Sequence, residues 1–183
     1  MPQPEEKIAT IRDIYALPEG RRAEVIDGVL YDMAPPLRIH QDIVVALTLA
    51  IGNYIQAHGG DCRVYPAPFG VQLEDDDYNY FEPDVSVICD PAKLTERGCT
   101  GAPDWILEVV SDSSAARDNL IKRRKYEAAG VRIYTIIDPR LRTVKVYCFD
   151  RPDAEQQYHE YSFAAPVPSF LYEDLTLDFS PFL

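Results

Sequence analysis

Apolar residues recur along the chain with two different periods, and the alternation between them lays out a mixed α/β order. Thr10 stands before Ile11, Ile14 and Leu17, which predicts one capped helical turn within an N-terminal arm, residues 1–18. Residues 22–33 alternate on either side of Asp27-Gly28, a strong hairpin signal, and this puts Glu24 in the first of two short strands. After Pro35-Pro36 the spacing of Ile43, Val44, Leu47 and Ile51 predicts an amphipathic helix over about 40–57, stopped by His58-Gly59-Gly60. Residues 63–73 read as an extended segment, and Pro66 and Pro68 within it suit an edge position. An acidic loop follows over 74–80.

Beyond that loop the pattern predicts strands over 84–89 and 105–110, a second helix over 114–129 stopped by Gly130, and strands over 132–138 and 143–149. The 132–138 run is apolar on both faces, which suits a central strand. The expected architecture is α/β, a central mixed sheet of these four strands flanked by the two helices, with the hairpin as an N-terminal extension. A chain of 183 residues suits one domain with a substantial core. Within it, about 40–149 is the core and 150–183 a C-terminal extension.

Composition narrows the function classes. The chain is 46% apolar and 26% charged, as globular proteins are. No run reaches the roughly 18 apolar residues of a membrane span, and the N-terminus lacks the basic and apolar blocks of a signal peptide. A cytoplasmic protein without membrane contact is therefore expected. Of the four cysteines, Cys89 and Cys148 end apolar runs and read as small buried residues; no spacing suggests zinc or a disulfide framework. A net charge of −12 argues against nonspecific coating of nucleic acid. Yet ten of the 18 Lys and Arg residues lie between Arg117 and Arg151, where only four acids oppose them. That stretch carries +6 and the rest of the chain −18, so a local basic face for a polyanion stands beside the plainer reading of a solvated charged segment.

The chemistry sits in an ordered set of polar residues. Asp84 opens one strand, Glu108 interrupts the next, otherwise apolar strand, and Asp118, Lys122 and Tyr126 recur every four residues on one face of the following helix. Two carboxylates and an ammonium in one cleft suit a hard divalent cation, Mg²⁺ or Mn²⁺, with Asp84 and Glu108 as ligands and Lys122 as the charge that steadies a reacting phosphate. Each residue also has a plainer reading. Pro83-Asp84 is a common strand-entry turn, and Glu108 suits a buried salt bridge, with Lys122 as the nearest candidate. Glu24 either pairs with an arginine on a nearby strand or adds a third acid to the cleft. His40 reads either as a cap or as a side chain lining the site. Asp75-Asp76-Asp77 lacks the glycine and distal glutamate of an EF-hand loop and reads as solvated.

The succession Glu24-x-x-Asp27-Gly28, His40, Pro83-Asp84-Val85, Leu107-Glu108-Val109, Asp118-x-x-x-Lys122-x-x-x-Tyr126-x-x-x-Gly130-Val131 and Tyr134-x-x-x-Asp138-Pro139 resembles the Uma2 family of restriction endonucleases, also known as a domain of unknown function. The resemblance runs from about residue 10 to 179. It implies a restriction-endonuclease-like fold of the PD-(D/E)XK nuclease superfamily and a catalytic set of Asp84, Glu108, Lys122 and Glu24, with His40, Asp118 and Tyr126 lining the site. The superfamily motif places a lysine two positions after the second acid, where this chain has Val110. The resemblance implies that Lys122 reaches back from the helix in its place. The expected activity is metal-dependent hydrolysis of DNA phosphodiester bonds by a homodimer. A catalytically silent binding or assembly module and a metal-dependent hydrolase of small phosphate compounds are the alternatives. On this reading Asp84→Ala or Glu108→Ala abolishes cleavage with the fold intact, whereas Lys122→Ala keeps metal binding and depresses turnover.

Overall fold

The computed structural model of the protein describes residues 8–112, 114–153 and 157–183. Helix α1 spans Ile11–Tyr15 and is followed by strands β1, Ala23–Ile26, and β2, Val29–Asp32. Then come α2, Arg38–His58, and strands β3, Arg63–Pro66, β4, Gly70–Gln72, β5, Val85–Ile88, β6, Leu94–Thr95, β7, Gly98–Thr100, and β8, Trp105–Val109. A helix whose first part, Arg117–Lys122, is π-helical and whose second part is α3, Arg123–Ala129, leads to β9, Ile133–Asp138, and β10, Thr143–Cys148. Strands β11, Tyr158–Ser162, β12, Val167–Pro168, and β13, Thr176–Leu177, follow.

A six-stranded mixed sheet in the order β11-β10-β9-β8-β5-β3 organises these elements. Only β8 and β9 pair in parallel within it; the other neighbours are antiparallel. A parallel pair needs a long crossover. Here the helix at 117–129 supplies it, which lays that helix over the sheet next to the strand carrying Glu108. All five residues of β8 and all six of β9 are buried, as expected for strands covered on both faces. The proline-bearing β3 lies at the edge, where a missing amide costs least.

The sheet separates two apolar layers. On one face Ile43, Val44, Leu47 and Ile51 of α2 pack with Val85, Trp105, Leu107 and Val109, and with Phe163, Val167, Leu177 and Phe179. On the other, Ile106, Ile136 and Tyr134 pack with Tyr126, Val71, Phe81 and Cys99. The central sheet therefore continues past residue 149: β11 forms its outer edge, and the segment after it fills the α2 layer. Alternation in β11 is between half-buried and exposed residues, too weak to mark it in the sequence.

Several expectations are refined. Helix α2 starts two residues before His40, with Arg38 and Asp42 paired at 2.6 Å across its first turn. The hairpin turn has positive φ at both Asp27 and Gly28, as a two-residue turn of this kind requires. The loop after residue 73 is more than solvated acid: Asp76 accepts from the Tyr78 amide and the Asn79 side chain, and its carbonyl accepts from Gln72. The cysteine spacing suggests no disulfide, and Cys89 reads as a small buried residue, but Cys62 and Cys89 form a disulfide. Arg63 faces Ile88 across the β3–β5 pair, so the next residues outward meet. That register is invisible in the spacing of cysteines along the chain.

The turn after β9 is locked by Asp138, which accepts from the Arg140 guanidinium at 3.2 and 3.0 Å and from the amides of Arg140 and Leu141 at 3.0 and 3.1 Å. Burial pushes this carboxyl up, but these donors outweigh it and hold its pKa below the ordinary 3.8. A depressed carboxyl contributes stability that is present above its unfolded pKa and is lost as pH falls through its folded one. Asp138→Asn is expected to cost about 1–2 kcal/mol at neutral pH, where the charge-assisted bonds are lost. The cost should shrink in acid, because the wild type loses the same contribution there. Urea midpoints at pH 7 and pH 3 check this; an equal cost at both would refute it.

Candidate active site

Asp84 and Glu108 face each other. Val85 pairs with Leu107 across β5 and β8, so the next residues, Asp84 and Glu108, lie opposite and project from the same face. Asp84 Oδ2 accepts from the Val109 amide at 2.8 Å and lies 3.1 Å from His40 Nε2 at the start of α2. With its proton on Nε2, His40 donates to Asp84 and helps fix the carboxylate. No donor among the described residues is bonded to Asp84 Oδ1 or to Glu108 Oε2.

Lys122 reaches Glu108 from above. Its Nζ is 2.8 Å from Glu108 Oε1, 2.7 Å from Glu24 Oε1 and 3.5 Å from Asp118 Oδ1, with the lysine side chain only 3% exposed. The Tyr126 hydroxyl also donates to Glu108 Oε1, at 3.1 Å, and the Glu82 amide donates to Glu24 Oε1 at 3.0 Å. The seven residues marked in the sequence are thus brought together, and the salt bridge considered for Glu108 is present. The arginine close to Glu24 comes from the helix: Arg117 Nε stands 3.8 Å from Glu24 Oε2.

The electrostatics of this cluster are unbalanced. Four carboxylates, those of Glu24, Asp84, Glu108 and Asp118, meet two permanent cations, Lys122 and Arg117, leaving an excess of two negative charges. Glu24 Oε2 and Asp118 Oδ1 are buried without a hydrogen bond. Burial pushes Glu108 well above the ordinary carboxylate range; Lys122 draws it back, and Asp118, Asp84 and Glu24 push it up further. Asp118 is raised mainly by burial, against the pull of Lys122. For Lys122 burial acts downward, but Glu108, Glu24 and Asp118 outweigh it and hold the ammonium well above the usual lysine value. The lysine is therefore a permanent cation, and the remaining negative charge calls for a further cation or a proton.

The π-helical turn explains both what the sequence revealed and what it hid. Asp118, Lys122 and Tyr126 still point inward, but the i→i+5 bonding of a π turn also brings Arg117 alongside Lys122. An α-helical reading at spacing four passes over Arg117. Tyr134 was missed as a site neighbour as well; from β9 its hydroxyl donates to the Asp118 carbonyl at 3.2 Å. The charged groups of the cluster and His40 line one cavity of about 240 Å³, with Pro35, Leu37 and Arg140 at its walls, while the neutral Tyr126 and Tyr134 lie behind it. Among the described residues, no three or more His, Cys, Asp or Glu side chains form a complete metal-holding group. Two carboxylates with one free oxygen each fit a hydrated Mg²⁺ or Mn²⁺, which keeps several waters, better than they fit an ion needing a full protein cage.

Much of the basic stretch is neutralised by ion pairs, while Arg124 and Arg142 stay exposed and Lys145 bonds to Asn119. Lys122, Lys125, Arg132, Arg140 and Arg151 are each paired with acids, Lys125 with Asp27 of the hairpin and Arg140 with both Asp138 and Asp112. Arg123 pairs with Glu127 and also lies over the Tyr147 ring.

The fold defines the class of protein. It superposes on the crystal structure of a "putative nuclease belonging to DUF820" from Anabaena variabilis ATCC 29413 with a TM-score of 0.74 and 21% identity, over 95% of this chain and 99% of that one. At that identity the likeness establishes a shared mixed α/β fold with a central mixed sheet. The family follows from the sequence match: residues 11–180 fit the Uma2 family, described as "Putative restriction endonuclease", and the chain belongs to it. A curated relative, the "Uncharacterized protein slr1290" of Synechocystis sp. (strain ATCC 27184 / PCC 6803 / Kazusa), is 34% identical over 108 residues. That match takes in 59% of this chain and about half, 55%, of the relative's length. No helix among the described residues is long and apolar enough to cross a membrane.

Proposed function

We propose that the chain is a Mg²⁺- or Mn²⁺-dependent endonuclease of the PD-(D/E)XK type that hydrolyses DNA phosphodiester bonds in the cytoplasm. The observation that carries this reading is the pair Asp84 and Glu108, opposed across β5 and β8, each keeping one oxygen free at the cavity while Lys122 lies 2.8 Å from Glu108. Asp84 and Glu108 would hold the ion, which when bound supplies an activated water and offsets charge on the phosphate. The Val109 amide and His40 orient Asp84; Tyr126 and Lys122 orient Glu108. Lys122 takes the position of the lysine absent at Val110, and its ammonium steadies negative charge developing next to Glu108. Glu24 and Asp118 keep Lys122 protonated. A twofold dimer would offer one such cavity to each strand of a duplex.

The self-satisfied contacts of Lys122 favour a second reading, a nuclease fold retained as a binding module. One experiment separates the two. Mn²⁺ titration by calorimetry, light scattering and relaxation of supercoiled plasmid are measured on the wild-type chain. The expected result is one Mn²⁺ per chain, a dimer mass twice 20.7 kDa, and nicking that stops with chelator. Metal binding without nicking supports the module. Phosphate release from small esters without nicking supports a hydrolase of small phosphate compounds.

A further inference from the structure

Besides Lys122, two basic side chains line the cavity, Arg117 and Arg140, and they are held in different ways. Arg140 is occupied: its guanidinium grips Asp138 and pairs with Asp112. Arg117 makes no hydrogen bond among the described residues, and its Nε is buried and unsatisfied. Its nearest anion, Glu24 Oε2, is 3.8 Å away, beyond hydrogen-bonding distance, and is unsatisfied as well. What fixes the guanidinium is the Tyr31 ring of the hairpin, 4.8 Å below it, and the side chain is only 18% exposed.

A largely buried guanidinium whose Nε lacks an acceptor is costly unless a ligand supplies one. Its planar fork matches two oxygens of a phosphate, and stacking on a ring leaves the donor edge free. Lys122 is taken up by three carboxylates, so the cationic contact for an incoming oxyanion falls to Arg117.

We infer that Arg117 is the phosphate-binding residue of this cavity, taking two oxygens of a phosphate or phosphodiester while Tyr31 holds its plane. The identity of the polymer rests on the endonuclease reading; the oxyanion contact does not.

The test uses the full chain in Ca²⁺, with inorganic phosphate followed by calorimetry and a short labelled DNA duplex followed by anisotropy. Arg117→Gln should weaken binding of both probes about tenfold and lower the salt slope for the duplex by about one, equally for different sequences. Arg117→Lys keeps the charge beside Glu24 but lacks the fork, and should recover the loss only in part. This variant guards against a mere folding defect. Tyr31→Leu should weaken both probes severalfold, and Arg124→Gln, exposed on the outer helix face, should change phosphate binding not at all. Wild-type affinity for both probes in Arg117→Gln and Arg117→Lys would overturn the inference, as would a wild type that binds neither. If the wild type nicks plasmid and Arg117→Gln does so with unchanged KM, the inference fails and the endonuclease reading stands. If phosphate binding requires Arg117 but no nicking occurs, the inference stands and the endonuclease reading fails. Phosphate bound through Arg117 without the duplex identifies small phosphate compounds as the source.

Discussion

Lys122→Met is expected to lower the stability of the protein by about 3–5 kcal/mol at neutral pH, because it leaves buried carboxylates without their cation. Glu24, Glu108 and Asp118 all lie within 3.5 Å of the Lys122 ammonium, and all are nearly inaccessible to water. This changes the expectation drawn from sequence, in which the loss of Lys122 affects turnover alone. The sign of the pH dependence follows from the raised pKa values. A carboxyl raised above its unfolded value stabilises the fold when protonated and loses that contribution as pH rises through its folded pKa. Removing Lys122 removes the chief influence holding Glu108 down. The variant should therefore be least stable relative to wild type near pH 8 and recover toward pH 5. Urea unfolding at the two pH values measures this; a loss below about 1 kcal/mol at both would show the network to be inessential to the fold.

Asp84→Asn and Glu108→Gln are expected to abolish divalent-dependent cleavage, by at least about 10²-fold, with little cost to folding. Asparagine keeps an oxygen for the Val109 amide but no longer offers an anion to the cavity. Glutamine keeps a neutral oxygen for Tyr126 and Lys122, and it removes one of three buried charges competing for the same ammonium. Stability should therefore stay within about 1 kcal/mol of wild type, or rise for Glu108→Gln. Single-turnover nicking and Mn²⁺ calorimetry on the same preparations provide the check. Unchanged Mn²⁺ affinity in both variants would remove the proposed ligands.

Much of this arrangement was legible in the sequence for definite reasons. The Asp27-Gly28 turn, the helical spacing of Ile43 to Ile51 and the mainly apolar runs of β8 and β9 each encode local geometry. Glu108 announced itself because a carboxylate within a buried strand demands a partner. What stayed hidden depends on contacts between distant segments or on unusual backbone. The Cys62–Cys89 bond follows from strand register, β11 carries too faint an alternation, and Arg117 enters the site only because its helical turn is wound with π spacing. The basic stretch is partly neutralised in the same hidden way, since Asp27, Asp104 and Asp112 reach it from elsewhere in the chain.

The hairpin has a further consequence, in the order of events during synthesis. Glu24 sits at the amino-terminal end of the chain, and the ammonium that neutralises it belongs to a helix made 98 residues later, the same separation that divides Asp27 from Lys125. Closing so long a loop is slow compared with forming either local element. A nascent chain thus carries the hairpin well before the cavity has its last wall. The cavity should therefore close only once the helix at 117–129 and the turn carrying Arg140 have been made, long after the hairpin that supplies Glu24.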